Sequence, residues 1–470
     1  MNKKKLVYTL FLVVVAILAN IVLVTRQNDY KNEQIEYNFT LSADSPLSLK
    51  VYYLTAGQEL SDTNEGQSFT QTYTKAGSEQ EISLRMPSDL SYIRIDPAES
   101  KGTVLRISDL TMTFHGKEVG VINLAKSNAI YSQQANIETT DGINEITCTG
   151  EDPFMVYVYN INDYLPAIKE AGSFSELLKK ILFCVACDAT ILLLIVKGKQ
   201  AMEIPRDVYR NRQLVWNLAK NDFKTRYAGS YLGIIWAFVQ PVVTVLVYWF
   251  VFQKALNAAS QSTKAGLAIP FVAWLVAGLV PWFYFQEVVG AGTNVLYEYS
   301  YLVKKVVFNI STLPVVKAVS ALFVHFFFVA FGLILAICYH YYPSLYTLQL
   351  LYYSFGLMIL CLGIIYLTSA AVVFFRDLSQ IINIILQVLI WGTPIMWNYD
   401  GMNMNPVLKA AFKLNPLFYI VQGYRESLFD RVWFFEHAGL TVYFWIVTIF
   451  VFLLGTTVFR KLKVHYADVL

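Results

Sequence analysis

The residue types that most often do chemistry are thinly spread along these 470 residues. The five histidines, His115, His325, His340, His437 and His465, are scattered, with no H-x-x-x-H pair and no D-x-D on a segment that reads as cytoplasmic. An enzyme that builds or cuts a polymer gathers acid, base or metal-binding groups at one site, and no such gathering is legible. Cys184-x-x-Cys187 has the spacing of half a zinc or redox site. It stands in an apolar run without a second Cys or His pair, so helix packing is the expectation, as it is for Cys338 and Cys361. Only Cys148 falls in the acidic part of the chain, which excludes a disulfide within that part. No G-x-x-x-x-G-K-[ST] phosphate loop occurs, so the chain does not bind ATP in the P-loop manner. No residue is therefore expected to act in catalysis or to bind a metal.

Aromatic side chains are a second resource. Trp236, Phe238, Tyr248, Trp249 and Phe250 share one apolar run, and Trp282, Phe283, Tyr284 and Phe285 end another. Tyr and Trp near the ends of spanning helices ordinarily mark the lipid interface. The alternative is a ladder of rings on which sugar C–H faces can stack and slide, with Trp236, Tyr248, Trp391 and Trp397 as candidates for lining a path. Arg376 and Asp377 stand between two apolar runs, where ionisable groups are costly unless paired or wet, and read as an intramolecular pair. Lys317 and Glu287 are candidates for snorkelling or pairing, and Asp188 is a polar exception with no assigned role.

These residues ride on membrane-spanning elements. The chain is 56% hydrophobic and only 15% charged, which points to a bilayer as solvent. The net charge of +3 hides a segregation: residues 26–172 carry about 21 acidic against about 11 basic side chains, and the remainder about 13 against 26. After a basic start, Lys3 to Lys5, residues 6–25 form an apolar run long enough to span, read as an uncleaved anchor (1–26) with its N-terminus in the cytoplasm. A second span covers 174–196 (domain 173–200). Six more are expected at 232–252, 267–286, 313–339, 348–374, 381–397 and 440–459, giving eight in all and a six-span core over 232–470. About 17 basic residues fall on the side assigned to the cytoplasm and about six on the outer loops of the core, which obeys the positive-inside rule. Both termini are thus expected in the cytoplasm.

Between the first two spans, residues 27–172 alternate polar and apolar positions at 47–53, 82–86, 91–95, 104–107, 110–114 and 154–159. Turn chemistry at Asp44-Ser45-Pro46, 97–102, His115-Gly116 and Asp141-Gly142 separates them. Short strands at this spacing predict an all-β sandwich outside the cytoplasm. Segments 91–97 and 102–107 resemble jelly-roll segments of some bacterial polysaccharide-synthesis enzymes. That resemblance leaves open carbohydrate recognition and a structural or partner-docking role.

Residues 201–231 are too polar to cross a membrane. Val208, Leu214, Val215, Leu218 and Phe223 recur at helical spacing between Arg210, Arg212, Lys220, Lys224 and Arg226, predicting an amphipathic helix at the cytoplasmic interface. Asp222-Phe223-Lys224-Thr225-Arg226-Tyr227 runs on through Gly233 into Trp236-Ala237-Phe238-Val239-Gln240-Pro241. With Leu302-Val303-Lys304-Lys305, Leu313-Pro314, Phe375-Arg376-Asp377, Leu414-Asn415-Pro416 and Tyr424-Arg425, that run resembles the permease subunit of polysaccharide-export ABC transporters of the ABC-2 type. The resemblance covers roughly 206–470. The front domain lies outside it.

The resemblance implies a subunit of an ATP-driven exporter of a lipid-linked polysaccharide, such as O-antigen, capsule or teichoic acid, in a bacterial cytoplasmic (inner) membrane. It implies a homodimer docking two copies of a separate ABC ATPase, which would hold ATP and Mg; this chain would hold no cofactor and no nucleic acid. The loop 294–309 would form a short coupling helix on the ATPase, with Tyr297, Glu298, Tyr299, Leu302, Lys304 and Lys305 as its surface. Asp222, Lys224, Arg226 and Tyr227 would border the substrate entrance, the two cations guiding headgroup phosphates. The segment 400–437 would re-enter the membrane as half-helices broken at Pro416. The alternatives are an ABC-2 exporter of a drug or small lipid and a membrane glycosyltransferase or polymerase.

Overall fold

The computed structural model describes residues 3–25, 34–55, 68–88, 90–97, 101–226, 231–256, 261–262, 268–303, 309–399 and 406–469. The chain divides into two compact units: Thr25–Leu182, and Met1–Val24 together with Phe183–Leu470.

The first unit contains twelve strands among its described residues: β1 (Gln34–Ala43), β2 (Leu47–Thr55), β3 (Ser68–Tyr73), β4 (Gln80–Pro87), β5 (Leu90–Asp96), β6 (Val104–Ser108), β7 (Leu110–Phe114), β8 (Lys117–Ile122), β9 (Ala129–Gln133), β10 (Ala135–Thr140), β11 (Ile143–Cys148) and β12 (Phe154–Val158). Seven form one sheet, ordered β10-β11-β6-β1-β7-β8 with β4 on β1, and five form the other, ordered β3-β2-β5-β12-β9. Alternation fixes their faces: Ile35, Tyr37, Phe39, Leu41 and Ala43 of β1 are buried, as are Leu49 and Val51 of β2 and Ile93 and Ile95 of β5. The β7–β8 and β10–β11 hairpins turn on His115-Gly116 and Asp141-Gly142, each pair with positive φ (51° and 76°). That handedness matches the strand twist and explains why Gly holds the second place. Six of these strands coincide with the alternating segments of the sequence. Of the others, β1 alternates as clearly, while β3 and β9 have weak alternation of their own.

In the second unit, α1 (Lys3–Thr25) lies against the latter part of α2 (Ile161–Ala201). Leu12 packs with Cys187 and Ile191, and Ile446 adds to the cluster. Beside this contact Asn20 Nδ2 donates to Asp188 Oδ1 at 2.9 Å, which supplies the partner that Asp188 lacked in the sequence. The helix holding the second span is longer than expected, 41 residues with Pro166 in its early turns.

Two helices follow, α3 (Glu203–Arg210) and α4 (Arg212–Arg226), where one was expected. The break falls at Asn211 (φ −104°, ψ 23°), whose side chain donates to the Asp207 carbonyl. The core is then α5 (Trp236–Tyr248) ending in a π-helical turn, α6 (Phe271–Thr293), the short α7 (Val295–Glu298) and α8 (Ser300–Val303), α9 (Leu313–Cys338), α10 (Gln349–Val372), α11 (Leu378–Gly392), α12 (Pro406–Lys413), α13 (Pro416–Arg425) and α14 (Ala438–Leu462). Apolar on every side, α6 is buried along nearly its whole length and sits at the centre.

Among the described residues, six helical stretches are long and apolar enough to cross a membrane: Glu176–Gly198, Trp236–Ala255, Phe271–Thr293, Ile310–Cys338, Leu345–Val372 and Phe434–His465. Thr9–Thr25 and Leu378–Gly392 are apolar but shorter. The expected break in the outer segment falls between α12 and α13. There Asn415 caps the Leu417 amide, Pro416 takes the first helical position, and Asn415 Nδ2 donates to Thr393 Oγ1 at 2.8 Å.

Candidate functional site

The interface helix α4 supplies the first part of the site. Val215, Ala219 and Asp222 recur on one face, and all three are buried. An acidic group at the foot of an apolar stripe needs a partner, and it finds several. Lys317 Nζ, on α9, lies 2.7 Å from Asp222 Oδ1, and the Tyr299 hydroxyl donates to the same oxygen at 2.7 Å. Arg226 Nη2, one turn along, lies 3.2 Å from Asp222 Oδ2. Arg226 also pairs with Glu287 of α6, and Lys317 with Glu298 of α7. Burial alone would push the Asp222 carboxyl up; Lys317 and the donated hydrogen bonds outweigh it and hold the carboxyl below its ordinary range. Four helices therefore meet in one ionic node: α4, α6, α7 with the Tyr299 that follows it, and α9.

Glu287 belongs equally to the second part. A cavity of about 910 Å³ opens between α5, α6, α9 and α11, and Glu287 lines it. Trp236, Gln240, Thr244 and Tyr248 repeat every fourth residue along the α5 wall. Gln380, Asn383, Gln387 and Trp391 line the same space from α11, on which Ile384, Ile385 and Val388 are exposed apolar groups. Rings and amides alternating along two walls offer hydrogen bonds and flat apolar faces without fixed charge, Glu287 excepted. Such a surface contacts a polyol at many places and grips it at none.

At the cavity wall, His325 Nε2 lies 3.0 Å from Ser354 Oγ and 3.1 Å from the Tyr424 hydroxyl, and those two oxygens are 2.6 Å apart. Arg425 is buried over the Trp274 ring, 3.4 Å from its centroid, and donates to the carbonyls of Pro394 and Ile395, each at 2.7 Å. A guanidinium that satisfies two free carbonyls fixes the irregular backbone after α11.

The structure treats the expected site residues unequally. Trp236, Tyr248 and Trp391 line the cavity; Trp397 does not, its indole donating instead to the Trp391 carbonyl and its ring packing on Phe412. Among the coupling residues, Tyr297 and Tyr299 are not the exposed aromatics that were expected. The Tyr297 hydroxyl donates to the Val372 and Val373 carbonyls, Tyr299 is drawn to Asp222, and Leu302 packs on the core. Buried acceptors attract the hydroxyls inward, so these residues hold the loop in place; Glu298 is exposed, as is Tyr301, which the sequence reading passed over. Lys224 is exposed, while Arg226 is engaged by two carboxylates.

Arg376 and Asp377 do not pair among the described contacts. Arg376 Nε donates to the Tyr297 hydroxyl at 3.3 Å and its guanidinium lies over that ring, because adjacent side chains at the start of α11 diverge. Tyr227, Lys304 and Lys305 fall outside the described residues. The sequence reading missed the α11 stripe, although the i, i+3, i+7 spacing of Gln380, Asn383 and Gln387 announces it.

Residues 213–429 match the family model described as ABC-2 type transporter. The chain is similar to the O-antigen export system permease protein RfbA of Myxococcus xanthus, with 24% identity over 230 residues, 49% of this chain and 85% of that relative. It is also similar to an RfbA permease of Klebsiella pneumoniae, with 25% identity over 259 residues, 54% of this chain and 93% of the relative. The matched segment begins in the interface helix and ends just beyond Arg425, so it contains the node and the cavity together. The chain is a multi-pass membrane protein whose residues 213–429 form an ABC-2 type transporter permease domain.

Proposed function

We propose that this chain is the membrane-spanning subunit of an ATP-driven exporter of a lipid-linked polysaccharide, powered by two copies of a separate ABC ATPase and working as a homodimer. The observation that carries the reading is the cavity, with its two walls of rings and amides ending at Glu287 and the ionic node. The relatives named for O-antigen export supply the substrate class. Exposed Lys224 guides anionic headgroups at the inner entrance. Glu298 and Tyr301 present the loop after α6 to the ATPase, while Tyr297 and Tyr299 carry its displacement to α10 and α4. Both termini lie in the cytoplasm of a bacterial cell with the β-sandwich outside, a placement that the charge bias supports. No part of the reading assigns catalysis to the chain itself, and ATP and Mg belong to the ATPase.

Co-reconstitution with that ATPase in proteoliposomes tests it. ATP-dependent movement of lipid-linked polymer, reduced by Lys224→Ala without loss of membrane insertion, is the expected result. ATP hydrolysis or transport by the chain alone, or movement of small amphiphiles but no polymer, overturns it.

A further inference from the structure

The five-stranded sheet of the first unit has an outer face whose composition its packing does not explain. Strand order β2-β5-β12-β9 and register place Tyr52 opposite Arg94, Arg94 opposite Val156 and Val156 opposite Tyr131. This is one row across four strands, about 14 Å long at the usual strand spacing. The alternate residues Val51, Ile93, Ile95, Met155 and Tyr157 fill the core, so the row belongs to the other face.

Arg94 is held in one orientation there. Its Nε and Nη2 donate to Asp96 Oδ1 at 2.7 Å and Oδ2 at 2.9 Å, a two-point pairing of guanidinium and carboxylate. Its guanidinium lies 4.0 Å from the centroid of the Phe154 ring and 5.5 Å from that of Tyr52. The Phe154 and Tyr131 rings continue the platform with centroids 5.4 Å apart, and Tyr131 is 52% exposed. Beside Arg94 lies a cavity of about 230 Å³ lined by Ser48, Lys50, Tyr52, Asp96 and Asp152 among others.

Each part restricts the occupant. Flat rings flanked by a fixed donor–acceptor pair suit a molecule with one apolar face and a rim of hydroxyls, since neighbouring hydroxyls can accept from the guanidinium and donate to the carboxylates. Asp96, Glu151 and Asp152 at the cavity disfavour phosphate-rich polymers and nucleic acid. An apolar peptide would leave the polar lining without partners, which is costly. We infer that the outer face of the β2-β5-β12-β9 sheet is a glycan-binding site for a neutral or amino-bearing segment of a polysaccharide. That this glycan is the polymer moved by the core rests on the function proposed above; the site itself does not.

The test uses the full chain in lipid nanodiscs, titrated with size-defined fragments cut from the surface polysaccharide of the source cells, and with poly(glycerol phosphate) of equal length. Calorimetry reads the affinity. Saturable binding of the fragments, weakened about tenfold or more by Tyr131→Ala and by Tyr52→Ala, is the expected result. Tyr131 is the more exposed of the two, so its variant keeps the test valid if Tyr52→Ala lowers the unfolding midpoint. Equal affinity in wild type and both variants, absence of fragment binding, or preference for poly(glycerol phosphate) overturns the site. Polymer transport in proteoliposomes without fragment binding overturns the site and leaves the transport reading intact. Fragment binding without ATP-driven transport does the reverse.

Discussion

Lys317 and Asp222 meet with Nζ 2.7 Å from Oδ1, although 95 residues separate them and one lies on a spanning helix while the other lies on the interface helix. Their side chains are 5% and 6% exposed. Removing one partner from a buried pair costs about 3 kcal/mol, and here Lys317 keeps only the more exposed Glu298 as its carboxylate partner. Asp222→Asn is expected to lower the unfolding midpoint of the purified protein markedly and to uncouple ATP hydrolysis from transport, because the Tyr299 tether loses its anionic acceptor. Thermal unfolding and ATPase activity in the assembled transporter check this.

The same carboxyl predicts a dependence on pH. Its folded pKa lies below the ordinary value of a carboxylate, so the unfolded state binds the proton more tightly. The stabilisation is complete above the ordinary carboxylate range and is lost as pH falls through that range towards the lower folded pKa. Unfolding midpoints measured downward from neutral pH are expected to drop in wild type. In Asp222→Asn this component of the drop is expected to be absent.

In the cavity, Trp391→Ala and Tyr248→Ala are expected to slow polymer transport several-fold with ATPase association unchanged. Gln387→Leu, which removes an amide from the α11 stripe, is expected to act in the same direction. Transport assays and co-purification separate this outcome from misfolding. Trp397→Ala is the informative contrast: its ring packs on Phe412 outside the cavity, so its effect is expected in stability rather than in rate.

The backbones of helices α10 and α14 are in close contact at Gly363 and Gly455. A Cβ on Gly363 would stand 2.7 Å from the backbone nitrogen of Phe452, and backbone cannot move aside as a side chain can. Gly363→Ala is expected to cost about 1–3 kcal/mol, the usual range for overpacking, read as a lower unfolding midpoint in detergent. Gly392→Ala, where a Cβ meets nothing within 4 Å, is expected to leave it unchanged.

The Asn20–Asp188 hydrogen bond tests the packing of α1 on α2. Asn20→Leu alone leaves the exposed Asp188, on a helix apolar enough to span the bilayer, without this partner and is expected to destabilise. The double variant Asn20→Leu with Asp188→Leu is expected to recover much of the loss, and a double-mutant cycle on unfolding measures the coupling.

Local patterns carried much of the architecture. Apolar runs marked the spanning helices, two-residue alternation marked half of the strands, and Asn415-Pro416 marked the start of α13. Each is decided by residues within a turn or two of one another, so neighbours in sequence suffice to read it. The ABC-2 type domain was legible from the run that leads through Asp222 into Pro241. Contacts between distant segments decided the rest. No local pattern says that Asp222 pairs with Lys317 rather than with Lys224 or that Arg376 turns to Tyr297 and away from Asp377. Nor does one say that Tyr297 and Tyr299 point inward or that Tyr52, Arg94 and Tyr131 form one row. A buried polar group takes whichever partner the packed helices or paired strands bring within hydrogen-bond reach, and only the tertiary structure sets that distance.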